Sequence, residues 1–422
     1  MNITLINTSD TGGGAPLACR RLMDALHASQ ADAKMLVQQK KSADKAVFGL
    51  FKGWLGKVRA ELNFLGERLP FMFFQEKDKT VRFAFSEANF GANISKNPLV
   101  QQADILHLHW TNRGFLSIEN LKQLFSLGKP IVWTLHDMWT FTGGCHYTGG
   151  CTHFEQNCGN CPILSNPSVN DLSKKGWLKK QELYQQAGNL HLVTCSNWLA
   201  GMAKTSSLLA NFPVQAIPNP IDIDFYEAKD KNTARKKWGI ATDAPILLFG
   251  AANINDKRKG LTYLLQALAH YKTHFGDELQ VVMFGKNTSF NTEEIPFKVH
   301  SLPLITSQEE LVELYSLADV FVQPSLEDNL PNMVMESLAC ATPVVAFNTG
   351  GLPDLVDHQQ NGYLADFQSA DDLAAGIHWV LSHPDRAVLQ ANARQKVVTH
   401  FNPATVADQY LSLYRSLLPG HE

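Results

Sequence analysis

Two acids stand eight residues apart in the stretch Pro324-Ser-Leu-Glu-Asp328-Asn-Leu-Pro-Asn-Met-Val-Met-Glu336. Asp328 falls in a loop that follows the apolar run 319–323, and Glu336 about two turns into the helical pattern beyond it. An acid within a helix's own apolar stripe is costly unless something pairs with it. Loops at the carboxyl ends of parallel strands are where open α/β sheets take ligands. A helix N-terminus at the same place favours anions. Carboxylates so placed can collect hydroxyl groups beside a diphosphate, and sugar and ribose hydroxyls fit that chemistry.

Other candidates lie at similar strand-to-helix turns. Ser9-Asp-Thr-Gly-Gly-Gly-Ala-Pro follows the first strand pattern and opens a helix. Gly13 and Gly14 there would let a ligand approach the backbone, although the loop lacks GxGxxG spacing and the Walker lysine. The alternative is a plain tight turn. In Phe249-Gly-Ala-Ala-Asn-Ile-Asn-Asp-Lys-Arg258-Lys259-Gly260, Arg258 and Lys259 could neutralise the phosphates of a leaving group, or form a solvated charged loop. His136 ends the run 131–136 and could touch substrate, or pack against Trp133 or Trp139. Of His107 and His109, His109 is the one expected to reach a site.

Cys145, Cys151, Cys158 and Cys161 fall within 17 residues. They could close a tetrahedral structural zinc site, with His146 and His153 as alternative ligands. Free thiols or disulfides are the competing readings. Cys19, Cys195 and Cys340 read as small buried apolar residues. Over 48–74, Phe51, Trp54, Leu55, Val58, Leu62, Leu65 and Leu69 recur at helical spacing among Lys52, Lys57, Arg59 and Arg68. Such a helix either lies on a membrane surface, lines a lipid-linked acceptor site, or packs on its own domain.

These residues need a scaffold. A chain of 422 residues exceeds the usual single core. Hydrophobic content of 45% with 18% charged residues is ordinary globular composition. A net charge of −3 gives no electrostatic case for nucleic acid. The sequence opens on a strand pattern rather than a secretory signal, and no run approaches the ~20 apolar residues of a membrane helix. A cytoplasmic enzyme is the expectation, with peripheral contact at the inner membrane as an extension of it.

Strand patterns at 3–7, 104–109, 131–136, 191–196 and 214–218 alternate with helical ones. A second series follows at 245–250, 279–285, 319–323 and 343–347. Helical periodicity is clearest over 17–26, 261–271, 308–317 and 403–418. This alternation predicts parallel sheets with helices on both faces. The predicted domains are 1–218, joined by the returning helix of 401–422, and 219–400.

The stretch 322–351, Ile217-Pro-Asn-Pro-Ile-Asp, Lys259-Gly260, Ser196-Asn-Trp-Leu and the glycine-rich loop together resemble the retaining glycosyltransferases of family four. The resemblance covers nearly the whole chain. It implies the GT-B fold, α/β with two Rossmann-like domains facing across a cleft. The cysteine loop and Trp133-Thr-Leu-His-Asp-Met-Trp resemble a bacterial subgroup that builds exopolysaccharide such as colanic acid, or lipopolysaccharide.

The resemblance implies a UDP- or GDP-sugar donor, a glycan or lipid-linked oligosaccharide acceptor, and no catalytic metal. It casts Asp328 on the donor sugar's hydroxyls, Glu336 on the ribose and Lys259 on phosphate. It also turns the backbone of Asn329, Leu330, Pro331 and Asn332 to sugar and phosphate, with His136 assisting. Ala251 stands where the family carries a phosphate-binding arginine, a place Arg258 could fill, and Pro220 replaces a family glycine. Alternatives on the same scaffold are a phosphorylase, a nucleotide-sugar epimerase, or a noncatalytic binding protein.

Overall fold

The computed structural model describes residues 1–240, 243–276, 278–286 and 290–418. The chain divides into two compact units, Met1–Pro220 with Pro403–Glu422, and Ile221–Asn402. The last four residues of the predicted returning segment, 419–422, lie outside the described residues.

The strands of the first unit are β1 (Asn2–Ser9), β2 (Asp32–Gln39), β3 (Val47–Gly49), β4 (Ile105–Leu108), β5 (Ile131–Leu135), β6 (Leu190–Thr194) and β7 (Val214–Ala216). They form one parallel sheet in the order β3-β2-β1-β4-β5-β6-β7. Every residue of β4 and β5 is buried, as expected of parallel strands covered on both faces. On one face lie helix Gly14–Ala28, through Cys19, Leu22 and Leu26, and helix Pro403–Ser416, through Val406, Tyr410 and Tyr414. The returning helix is also hydrogen-bonded to the sheet: Tyr410 Oη meets Thr134 Oγ1 at 3.0 Å, and Tyr414 Oη meets His107 Nδ1 at 2.7 Å.

The second unit carries β8 (Ile246–Asn253), β9 (Gln280–Lys286), β10 (Lys298–Leu302), β11 (Val320–Gln323), β12 (Val344–Phe347) and β13 (Gly362–Ala365). The sheet is again parallel, ordered β10-β9-β8-β11-β12-β13. Each sheet therefore reverses strand order once, between β1 and β4 and between β8 and β11. Such reversals leave a crevice outside the strand ends. Both units are the parallel-sheet α/β domains that the alternation predicts.

Helix Gly53–Phe74 departs from simple packing. Phe48 belongs to β3. The stripe Trp54, Leu55, Val58, Leu62, Leu65 and Leu69 is turned to solvent, with Phe73 and Phe74 beyond it. The helix packs instead through Ala60, Glu67, Arg68 and Phe71. Glu67 Oε2 accepts from Gly114 N at 2.7 Å, and Arg68 donates to the carbonyls of Arg82 and Phe85. Arg68 is thus an internal tie, not part of a basic surface. Among the described residues no helix is long and apolar enough to cross a membrane.

Asp319, one residue before β11, organises the second unit. It accepts from Lys231 Nζ at 2.9 Å, Arg235 Nη2 at 2.7 Å, Ile246 N at 2.7 Å and Arg386 Nη2. Burial alone would raise its carboxyl, but Lys231, the Ile246 amide and Arg386 outweigh that and hold its pKa below the usual value. Asp319→Ala strands the buried Arg235. With Lys231 and Arg386 partly exposed, the expected loss is about 2–3 kcal/mol, below the full cost of breaking a buried pair. Denaturant unfolding followed on the second unit should report it; a loss under about 1 kcal/mol would sink this account.

Candidate functional site

In the second unit, the loops after β8 and β11 meet at the point where strand order reverses. After β8, residues Lys257–Lys259 form one 3₁₀ turn, capped by Asp256, which accepts from Arg258 N at 3.0 Å. Gly260 follows at φ +72° and starts helix Leu261–His274. A Cβ there would stand 1.8 Å from Pro324 O, so only glycine allows this approach. Leu326 N donates to Arg258 O at 2.8 Å, joining the loops a second time.

That contact brings Lys259 Nζ to within 2.6 Å of Asp328 Oδ2. Ser325 Oγ lies 3.4 Å from the same oxygen. A third strand end supports the acid from behind: Gly351 N donates to Asp328 O at 3.0 Å, and Gly350, at φ +59°, passes so close that a Cβ would lie 2.2 Å from that carbonyl. Asn329, Leu330 and Pro331 are buried, and Asn332 opens helix Asn332–Ala339 with Pro331 as its N-cap. Glu336 is buried in this helix, and its Oε2 accepts from Tyr315 Oη at 2.9 Å. Arg258 pairs with Asp256 at 2.7 Å.

In the first unit, Gly13 caps helix Gly14–Ala28 at φ +93° with no side-chain cap. A Cβ on Gly12 or Gly13 would meet nothing closer than Pro16 Cδ at 3.9 Å, so open space surrounds this turn. The positive φ calls for glycine there, not crowding.

His136 follows β5, and its Nε2 lies 2.9 Å from His109 Nδ1, the two rings stacked. Next to it, Asp137 Oδ2 accepts from Trp110 Nε1 at 2.9 Å and meets His146 Nδ1 at 2.7 Å. His146 Nε2 reaches Ser86 Oγ at 3.0 Å. Burial lowers the pKa of His136 to about 4, with Asp137 opposing, and that of His107 to about 3; burial, with His107 and His136 adding, also holds His109 well below the ordinary value. The three imidazoles are neutral at pH 7, so His136 can offer a hydrogen bond but not an imidazolium.

The four clustered cysteines are free thiols, as are Cys19, Cys195 and Cys340. Among the described residues no group of three or more His, Cys, Asp or Glu side chains is assembled as a metal site. Cys195 does more than fill space: its Sγ lies 3.1 Å from Asn219 Oδ1 and 3.6 Å from His136 Nδ1.

Residues 230–396 match the family model described as glycosyl transferases group 1. The chain carries a glycosyltransferase group 1 domain. This glycosyltransferase is 24% identical over 386 residues to the N-acetyl-alpha-D-glucosaminyl L-malate synthase of Bacillus anthracis, covering 86% of this chain and 92% of the relative. It is 25% identical over 276 residues to the putative colanic acid biosynthesis glycosyl transferase WcaC of Escherichia coli, covering 62% of this chain and 63% of WcaC. In fold it is similar to Anabaena Alr3699/HepE, solved in complex with UDP-glucose. The TM-score is 0.62 at 16% identity, over 99% of this chain and 100% of that one. The two parallel-sheet domains are those of the GT-B architecture.

Within the transferase, Lys259 and Asp328 come together, whereas Glu336 is taken inward to Tyr315 and Arg258 aside to Asp256. Sequence reasoning missed the His109–His136 pair and the Asp137–His146–Ser86 chain. Residues 27 apart meet there only because β4 and β5 are neighbours.

The buried histidines make a pH prediction. Their folded pKa values lie below the ordinary 6.5. The unfolded chain therefore takes up protons that the folded unit refuses, and stability present above pH 6.5 is lost as pH falls toward 4. Urea midpoints should drop from pH 7 to pH 5, and drop less in His107→Asn. Equal pH dependence in the two proteins would contradict the assignment.

Proposed function

We propose that this glycosyltransferase moves a sugar, with retention of configuration, from a UDP- or GDP-sugar to a glycan or lipid-linked acceptor in bacterial surface-polysaccharide assembly. The observation that carries the reading is the Lys259–Asp328 pair at the strand-order reversal of the second unit. A cation, an acid and a helix N-terminus at one strand-end crevice match a sugar diphosphate. The complex of HepE with UDP-glucose and the colanic acid role in WcaC's description support the donor class and the pathway.

In this reading Lys259 Nζ turns from Asp328 to the donor's phosphates and stabilises the charge of the leaving diphosphate. Asp328 then accepts hydrogen bonds from sugar hydroxyls, and the amides that open helix Asn332–Ala339 face phosphate. Glu336 holds the ribose in this reading, which requires its carboxylate to exchange the Tyr315 hydroxyl for the ribose hydroxyls when donor binds. The acceptor oxygen attacks the anomeric carbon on the face from which the diphosphate leaves, and its proton passes to a phosphate oxygen. No catalytic metal is needed for that route. Retaining glycosidases instead place two carboxyl groups about 5–5.5 Å apart. In the first unit, the acceptor-side domain in this reading, the Gly13–Gly14 turn is a donor-binding turn and neutral His136 assists near donor or acceptor; the enzyme works on the cytoplasmic side of the membrane.

The exposed stripe of helix Gly53–Phe74 supports a lipid-linked acceptor. Trp54 is 71% exposed, Leu62 62% and Phe73 74%, and Lys52, Lys57 and Arg59 are exposed beside them. An apolar face flanked by cations suits an anionic lipid surface.

A thermal-shift panel of nucleoside diphosphates and nucleotide sugars should reveal stabilisation by a UDP or GDP compound. Lys259→Ala should cut kcat/KM for donor turnover about 10²–10³-fold with the fold intact. No stabilisation by any compound, or a fully active Lys259→Ala, would overturn the reading. Separately, the protein should float with phosphatidylglycerol-containing vesicles, and Trp54→Ser/Phe73→Ser should weaken this severalfold; no flotation of the native protein rejects the lipid surface.

A further inference from the structure

We propose that Cys145, Cys151, Cys158 and Cys161 bind one structural zinc ion that holds together the long loop of the first unit. All four line a single small pocket, with His153 and Phe154. Its volume of about 20 Å³ suits one small ion or one water, not an organic ligand.

The loop itself argues for a staple. Between the turn Trp139–Phe141 and helix Leu172–Tyr184, one 3₁₀ turn, His153–Glu155, is the only helical element, and no strand occurs. A segment of this length without regular structure inside a compact domain is uncommon unless something else orders it. Its turns are also strained. Cys158, Gly159 and Asn160 sit in succession at φ +36°, +120° and +48°, a conformation that Gly and Asn accept but that costs Cys158. They form the Cys-x-x-Cys knuckle, the part of a thiolate site whose geometry an ion would fix.

Two backbone amides point at the sulfurs. Gly143 N donates to Cys158 Sγ at 3.2 Å, and the Ile163 amide is directed to Cys161 Sγ. Outer ties hold the frame: Cys161 N to Asp171 Oδ2 at 2.8 Å, Gly159 N to Ser173 Oγ at 3.0 Å, and His153 Nδ1 to Gly159 O at 2.8 Å. Zinc with four thiolates carries two net negative charges. Lys180 lies near Cys145 and Cys158, with its Nζ 2.9 Å from Thr142 O and 3.7 Å over the Trp139 ring, and a negative site there would favour its charged form against burial. Among the described residues the sulfurs are not gathered at ligand geometry, so binding has to draw them together. Each thiol releases one proton to solvent as its sulfur binds, and no electrons move.

The full-length protein, purified under reducing conditions without chelator, should carry about one zinc per chain by elemental analysis. Cys151→Ser and Cys161→Ser should lower this at least severalfold, while His153→Asn keeps it. Because a cysteine variant could fail to fold, the native protein provides a second readout. Exchange with Co²⁺ should produce the intense visible bands of a tetrahedral thiolate site, and chelation should lower the melting temperature until zinc is restored. Zinc far below one per chain together with no cobalt bands would overturn the proposal. So would two disulfides among these four cysteines in the unreduced protein, or zinc lost in His153→Asn but retained in Cys151→Ser.

Discussion

The approach of Gly260 to the carbonyl of Pro324 governs the second unit's chemistry. Two loops from neighbouring strand ends cannot share one site unless their backbones almost touch. Here a missing side chain permits that contact. Lys259 precedes that glycine, and Asp328 lies four residues beyond the proline. Their ion pair is a consequence of the close backbone approach. Gly350 repeats the device on the other side, where it lets the strand end after β12 support Asp328 from behind. The site is therefore built on main-chain geometry first, with its charged groups carried into place by it.

A different solution operates in the first unit. Strand-end histidines and an aspartate are fixed by one another and by indole and hydroxyl groups. Burial keeps the imidazoles uncharged. One unit thus presents a paired cation and anion, and the other a set of neutral rings next to a single acid.

Much of the fold was legible because strands buried on both faces must be nearly all aliphatic. β1, β4, β5, β6, β8, β9, β11 and β12 announce themselves in this way, and the edge strand β7 was also marked. The edge strands β3, β10 and β13 were not, being short or mixed with polar residues; β2 begins with alternating polar residues. Asp328 and Lys259 were legible from their positions after apolar runs. The inward turn of Glu336 was not, because its partner Tyr315 lies on another helix. The outward turn of the stripe from Trp54 to Leu69 was also hidden. Periodicity marks an apolar face but not where it points, and here the packing is done by Glu67 and Arg68, which satisfy their polarity with main-chain groups.

The return of helix Pro403–Ser416 to the first sheet makes the second unit an insertion within the first. During synthesis the inserted unit is complete while its host still lacks a helix, and Thr134 and His107 still await Tyr410 and Tyr414. The earlier-translated half is thus the later one to mature. Until helix Pro403–Ser416 emerges, the nascent chain holds a completed second unit and a first unit whose sheet still lacks one covering helix, a state exposed to misassembly.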